Sequence, residues 1–173
     1  MTQIERVTDD IYVFTSELYA QVTAGVINTR LGAILIDTLP YPSEALEMKD
    51  FVESQLSSRV RYVINTHYHA DHVYGTHIFA GAQVISHELC RELLSTTGVE
   101  SLAVAKAESS ELASVKLVLP QITFEGGSFR LRLAGKTIVL NHSPGHSKDV
   151  ISVLVEGDQV LFASDTVMPV PFF

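Results

Sequence analysis

Asn65-Thr66-His67-Tyr68-His69-Ala70-Asp71-His72 is the stretch from which the rest of the chain is read. It brings three of the chain's 7 histidines and one aspartate into the span 67–72. Imidazole nitrogen and carboxylate oxygen are both good ligands for a divalent metal ion. Val60-Arg61-Tyr62-Val63-Ile64, just before it, reads as a buried strand, and the residues after it, to Phe79, as a short helix. The candidate ligands therefore fall on a strand-to-helix loop, where a rigid scaffold can present them. His67 and His69 are two apart, so in extended chain they point the same way. Asp71 and His72 are adjacent; they diverge and are placed to serve a second ion a few ångströms off. The plain alternative is a polar loop with clustered histidines, and the strand-loop-helix context weighs against it.

Upstream, Ile11-Tyr12-Val13-Phe14 reads as a strand, Glu17 to Gln21 as a turn or flap, and Val22 to Thr29 as a second strand. Arg30-Leu31-Gly32 turns the chain into Ala33-Ile34-Leu35-Ile36-Asp37, almost wholly apolar as a strand covered on both faces should be. After Pro40 and Pro42, a helical stripe of Ala45, Leu46, Met48, Phe51, Val52 and Leu56 predicts a helix over 43–56 with Ser43 as its N-cap. Downstream, 81–85 is a short strand and His87 to Leu94 a helix. Glu100 to Leu119 is helix-prone and irregular, placed to lie across the surface as a lid. From Ile122 the pattern changes to strands at 122–124, 129–133 and 137–140, with Gly126-Gly127 and Gly135-Lys136 as turns. A hairpin over Val150 to Val155 and Val160 to Ala163 follows, turning at Gly157-Asp158 and ending at Ser164-Asp165-Thr166. Strands, helices, then strands again fit one α/β domain over 1–173, with two packed sheets and helices outside.

The chain is 46% hydrophobic and 18% charged, enough for a well-buried core and unlike a disordered chain. Its formal net charge of −8 argues against a nucleic-acid partner, which favours a basic face. There is no apolar run long enough to span a bilayer, so no membrane partner is expected. The N-terminus lacks a basic start followed by an apolar core. Cys90 is the lone cysteine and reads as a buried small hydrophobe. A cytoplasmic location is the resulting default. Phe172 and Phe173 follow a strand directly; either they dock on the domain or a partner, or the natural chain continues, and continuation is the favoured expectation.

Four features line up: His67-x-His69-x-Asp71-His72, the turn Ser143-Pro144-Gly145-His146, Asp165 at one strand end and Asp37 at another. In this the chain resembles the metallo-β-lactamase superfamily, from the first hairpin to Asp165. The resemblance implies an αββα sandwich of two mixed sheets with outer helices, its last part missing. It implies that His67, His69 and His146 hold a first metal ion, that Asp71 and His72 belong to a second, and that Asp165 bridges the two. Asp37 is similar to an early family aspartate that orients ligands without binding metal. One departure stands out. The family supplies a further late histidine to the second ion, and no histidine follows His146 here. A weakened second site, a truncated chain or a ligand from another subunit all remain open. His142 reads as structural or as a support behind the ligands, His77 as a surface or packing residue, and His87 as a cap-region residue at the start of its helix.

The chemistry implied is hydrolysis by a metal-bound hydroxide on an ester, thioester, lactone, amide or phosphoester, with Asp71 as the catalytic carboxylate that orients the nucleophile and passes its proton. One or two Zn²⁺ per chain are the expected cofactors, with iron or manganese as alternatives. The partner is a small-molecule substrate, with Tyr19 and Tyr68 as candidate contacts; a homodimer is left open. An iron-dependent oxidoreductase such as a persulfide dioxygenase uses the same ligand types, though His69 in place of a glutamate argues against the flavo-di-iron kind. A non-catalytic metal-binding remnant is the third reading.

Overall fold

The structure, a computed structural model, describes residues 2–167. Phe172 and Phe173, and with them the expectation about the tail, lie outside these residues. The architecture is built outward from the strand β4 (Ala33–Ile36), all four of whose residues are buried. A strand's side chains alternate between its faces. Ile34 and Ile36 join Ile11, Ile27, Ile64 and Ile85 in a core shared with Ile138, Leu140, Ile151, Val153 and Val155. Ala33 and Leu35 join Phe14, Val26, Val63 and Val84 in a second core against Ala45, Met48 and Val52. A strand lined on both sides this way has no polar alternation to show, which is why its sequence reads as an unbroken apolar run. Each large side chain so buried is worth roughly 1.5–3 kcal/mol.

Seven strands form the larger sheet in chain order: β1 (Gln3–Arg6), β2 (Ile11–Thr15), β3 (Thr23–Ile27), β4, β5 (Val60–Ile64), β6 (Gln83–His87) and β7 (Ile122–Phe124). Pairing is antiparallel from β1 to β4 and parallel from β4 to β7. Parallel neighbours need long crossovers, and these carry the helices. They are α1 (Pro42–Asp50), α2 (Ala70–Val73) and the pair α3 (Glu88–Leu93) and α4 (Val99–Glu108). The second sheet has four strands in the order β11 (Val160–Phe162), β10 (Ile151–Val155), β9 (Lys136–His142), β8 (Ser128–Leu133). It is antiparallel throughout. The expected pair of mixed sheets is thus one mixed and one antiparallel, because turns and the loop 143–150, not helices, join the strands of the second sheet.

Other differences are local. Tyr41, not Ser43, stands at the N-cap of α1, with Pro42 in the first turn; proline's fixed φ suits that turn and its missing N–H costs nothing there. The helices predicted over 43–56 and 87–94 each run on through a π-helical turn, Phe51–Gln55 and Leu94–Gly98. The second of these joins α3 to α4, so the segment read as a lid is anchored. Leu102, Leu112 and Val115 pack with Val73, Tyr74, Cys90 and Leu94 in a third cluster. β1 went unread because all four of its residues are exposed and carry no apolar pattern.

Candidate metal centre

The parallel strands bring the chemistry together at their carboxyl ends. β4 runs into Asp37, and β5 into Asn65, Thr66 and His67. Crevices at that end of a parallel sheet are where α/β folds bind ligands. His146 arrives on the turn between β9 and β10, and Asp165 on the 3₁₀ turn Ser164–Thr166 after β11.

Three imidazole nitrogens converge. His67 Nε2 lies 3.0 Å from His69 Nδ1, and His146 Nε2 lies 2.9 Å from that same nitrogen. A second cluster is formed by His67, His72 and Asp165. There His72 Nε2 is 3.2 Å from Asp165 Oδ1 and 3.5 Å from Asp71 Oδ2. Asp165 Oδ2 is 3.5 Å from His146 Nε2 and 3.9 Å from His67 Nε2, so this carboxylate faces both groups. Asp71 touches the second group through His72 alone among the described contacts. In extended chain Asp71 and His72 would point to opposite faces; on the short helix α2 they are splayed less, and the long His72 ring comes within 3.5 Å of the Asp71 carboxylate. Burial is graded: His67 and His72 form the closed wall, and His146 stands at the solvent mouth.

The hydrogen bonds around the cluster decide which nitrogen of each ring is free. Thr66 gives its hydroxyl proton to Asp37 Oδ2 at 2.7 Å, so towards His67 Nδ1, at 3.2 Å, it acts as the acceptor. His67 therefore carries its proton on Nδ1 and turns the Nε2 lone pair inward. His72 donates from Nδ1 to Asp37 Oδ2 at 2.8 Å, which likewise leaves Nε2 facing Asp165. Ser164 Oγ, 2.7 Å from Thr66 Oγ1, closes the network from the Asp165 side. Thr66 and Ser164 were missed from sequence; a Thr before a histidine motif carries no signal of its own.

Burial, then His72 and His69, push the His67 imidazole from 6.5 to about 2. Burial and His146 lower His69 as well. Burial works against ionised Asp165, yet hydrogen bonding and charge from His72 prevail and hold it at about 2. Asp71 is also held below its ordinary value, burial being outweighed by its hydrogen bond to His72. His67 and His69 are thus held neutral and the two carboxylates ionised, as metal binding requires. His72 differs: burial opposes its charge but is outweighed by Asp37, Asp165 and Asp71, so it is raised well above 6.5 and gives up a proton when an ion binds.

These donors fit a metal ion. His69 has at most one proton on Nδ1 and so can satisfy only one of its two imidazole neighbours. His72 Nε2 is buried and faces the Asp165 and Asp71 carboxylates at 3.2 and 3.5 Å, an imidazole and carboxylate set of the kind that holds a divalent ion. A cation among the three imidazoles relieves the proton shortage at His69. Around a tetrahedral zinc, nitrogens at 2.0–2.1 Å from the metal stand roughly 3.3 Å apart, and the observed 2.9 and 3.0 Å fall slightly inside that.

The remaining candidates separate. Tyr68 packs its ring on His69, centroids 4.5 Å apart. Tyr19 is half exposed in the 17–21 turn, with no described contact to the histidines. His77 hydrogen-bonds to Tyr74 O, and His87 caps α3 by accepting from Leu89 N. His142 stacks on His87 at 4.0 Å, and Cys90 is fully buried, as read from sequence. A concavity of about 900 Å³ lies at the opposite end of β4 and β5 among Asp10, Arg30, Arg59, Arg61 and Lys136, and includes none of the clustered histidines.

Comparison with known proteins agrees with this layout. The family described as "Metallo-beta-lactamase superfamily" matches residues 19–172, and the chain belongs to it. A protein described as "Beta-lactamase-like protein 2 homolog" from Caenorhabditis elegans is 23% identical over 144 residues. That match covers 83% of this chain but 43% of the relative, so the chain spans less than half of that protein's length. Among solved structures, a metallo-beta-lactamase from Pontibacter korlensis is similar with a TM-score of 0.74 and 21% identity, over 94% of this chain and 71% of that one. One from Hirschia baltica gives 0.72 and 17%, over 94% and 70%. At such identities the likeness speaks for the fold.

Proposed function

We propose that this chain carries the metal centre of a metal-dependent hydrolase, with zinc as the ion. The observation that supports this most is the meeting of His67 Nε2, His69 Nδ1 and His146 Nε2 within hydrogen-bond distance, with too few protons among them. Those three would hold the first ion. His72 and Asp165 would hold a second, with Asp71 beside them. A bound zinc supplies a Lewis acid that polarises a carbonyl or phosphoryl oxygen and brings the pKa of water down to about 7.

The chain's own residues do the rest. Asp37 orients the His72 ring through Nδ1, and Thr66 keeps the His67 proton on Nδ1. Asp71, ionised and half-buried, accepts a hydrogen bond from the attacking water and orients it. Its lowered basicity suits it better to orienting than to keeping the proton. The His146 side opens to solvent, where a small ester, thioester, lactone, amide or phosphoester enters, and the Tyr68 ring beside His69 offers it an aromatic surface.

The test is metal analysis of protein purified without a nickel column, together with hydrolysis assays on a thioester, a lactone, a β-lactam and a phosphodiester. Zinc with turnover of one of these is expected, and His69→Ala is expected to lose most of the metal and all turnover. Iron in place of zinc, with oxygen consumed on a persulfide, would assign the same ligands to an oxidoreductase. Unchanged metal content in His69→Ala contradicts the ligand assignment.

A further inference from the structure

Asp149 is a fully buried carboxylate that the ligand set leaves unused. Burying an ionised carboxylate costs several kcal/mol unless donors surround it. Among the described residues no lysine or arginine pairs with it; its partners are a backbone amide and a hydroxyl. Oδ2 accepts from Tyr68 N–H at 2.8 Å, 81 residues away in the chain. Oδ1 accepts from Ser147 Oγ–H at 2.6 Å. The buried Cys90 thiol also lies within hydrogen-bonding reach of it.

The identity of these partners gives the carboxylate its meaning. Tyr68 stands between His67 and His69, and Ser147 follows His146. One side chain thus grips both arms of the three-histidine cluster. The arms touch through the backbone nearby, where Ile151 N–H donates to Thr66 O at 2.9 Å. That bond ties the start of β10 to the chain just past β5 across the two sheets, but it lies short of the loop tips that carry His69 and His146. Among the described residues, the backbone bonds of the half-exposed turn 143–147 are short-range, Ser143 N to Val150 O at 2.9 Å and Gly145 N to Ser147 O at 3.2 Å.

We propose that Asp149 is a positioning residue: it clamps the His67–His69 arm to the His146 turn and so sets the spacing of the three ligating nitrogens. The proposal rests on the metal reading above. Oriented support behind a metal's ligands is typically worth 10- to 100-fold in affinity. An asparagine can keep the clamp, since its oxygen still accepts from Tyr68 N–H while its amide donates to a Ser147 hydroxyl that has rotated. A leucine of similar size cannot.

The experiment titrates Co²⁺ into metal-free parent, Asp149→Leu, Asp149→Asn and Ser147→Ala proteins, following the visible d–d bands, and measures Tyr68 amide exchange before metal is added. Asp149→Leu is expected to bind roughly 10- to 100-fold more weakly with altered bands, and its Tyr68 amide to exchange faster. Asp149→Asn is expected to recover most of the affinity and the parent spectrum. Ser147→Ala leaves the core filled, so it reads the clamp even should the leucine variant fail to fold; a severalfold loss is expected. Glu44→Leu is the control, removing another buried carboxylate whose hydrogen bonds go to Ser16; it should lower stability and leave cobalt binding unchanged. Parent-like affinity and bands in both Asp149→Leu and Ser147→Ala overturn the clamp alone. A parent that takes up no cobalt overturns the metal reading and the clamp with it.

Discussion

The Nδ1–H of His72 donates to Oδ2 of Asp37 at 2.8 Å, although the two residues lie 35 positions apart. Asp37 holds this place from a left-handed backbone conformation, φ 59°, which aspartate tolerates better than most residues. Its other oxygen accepts Thr66 N–H at 2.8 Å. One carboxylate thereby sets the peptide ahead of His67 and the ring of His72. Asp37→Asn keeps the shape but loses one acceptor and sets an NH₂ against a donor. Metal affinity is expected to fall roughly 10- to 100-fold, measured by competition with a chromophoric chelator; an unchanged constant would show that Asp37 supports only the fold.

The loop carrying Asp37 approaches the helical run after the histidine motif unusually closely. Thr38 N and Oγ1 both donate to His72 O, at 2.9 and 3.0 Å. A Cβ on Gly75 would stand 2.1 Å from Thr38 O, a backbone atom that cannot turn aside. Gly75→Ala is therefore expected to lose roughly 1–3 kcal/mol of stability through overpacking and to weaken metal binding by shifting Asp37. Urea unfolding beside a metal titration checks both. A variant as stable as the parent would mean that the loop yields where the packing says it cannot.

Acid and base should each destabilise the metal-free protein on moving away from pH 6.5, through different histidines. His67, pushed from 6.5 to about 2 by burial and then by His72 and His69, stays neutral in the fold where the unfolded chain takes up a proton. His69 shifts the same way. Stability from these two is present above 6.5 and lost as pH falls below it. His72 is the reverse: burial opposes its charge, but Asp37, Asp165 and Asp71 outweigh burial and raise it well above 6.5. Its contribution is full below 6.5 and fades as pH rises through the raised value. Urea unfolding of EDTA-treated protein at pH 5, 6.5 and 8 is expected to show a maximum near the middle value. A steady climb from 5 to 8 would remove His72 as a retained cation.

The sequence showed the frame of the fold plainly because the frame is made of local patterns. Ala33–Ile36 is apolar throughout since both its faces are covered, and the 67–72 motif announces itself by spacing alone. The edge strand Gln3–Arg6 has no such pattern, because an edge facing water needs none. The run from α3 to α4 hid its continuity behind Gly98, a residue that usually ends a helix. Most opaque were the residues that act across the chain. Thr66, Ser164 and Asp149 matter through what folding sets beside them, and neither their composition nor their spacing records it.

The central claim is that three imidazoles from two loops share one metal ion. An anomalous difference map from crystals of the zinc-loaded protein, collected on both sides of the zinc absorption edge, tests it most directly. The account predicts one strong zinc peak about 2.0–2.1 Å from His67 Nε2, His69 Nδ1 and His146 Nε2. Zinc bound elsewhere, with those three nitrogens still packed against one another and nothing among them, would contradict it.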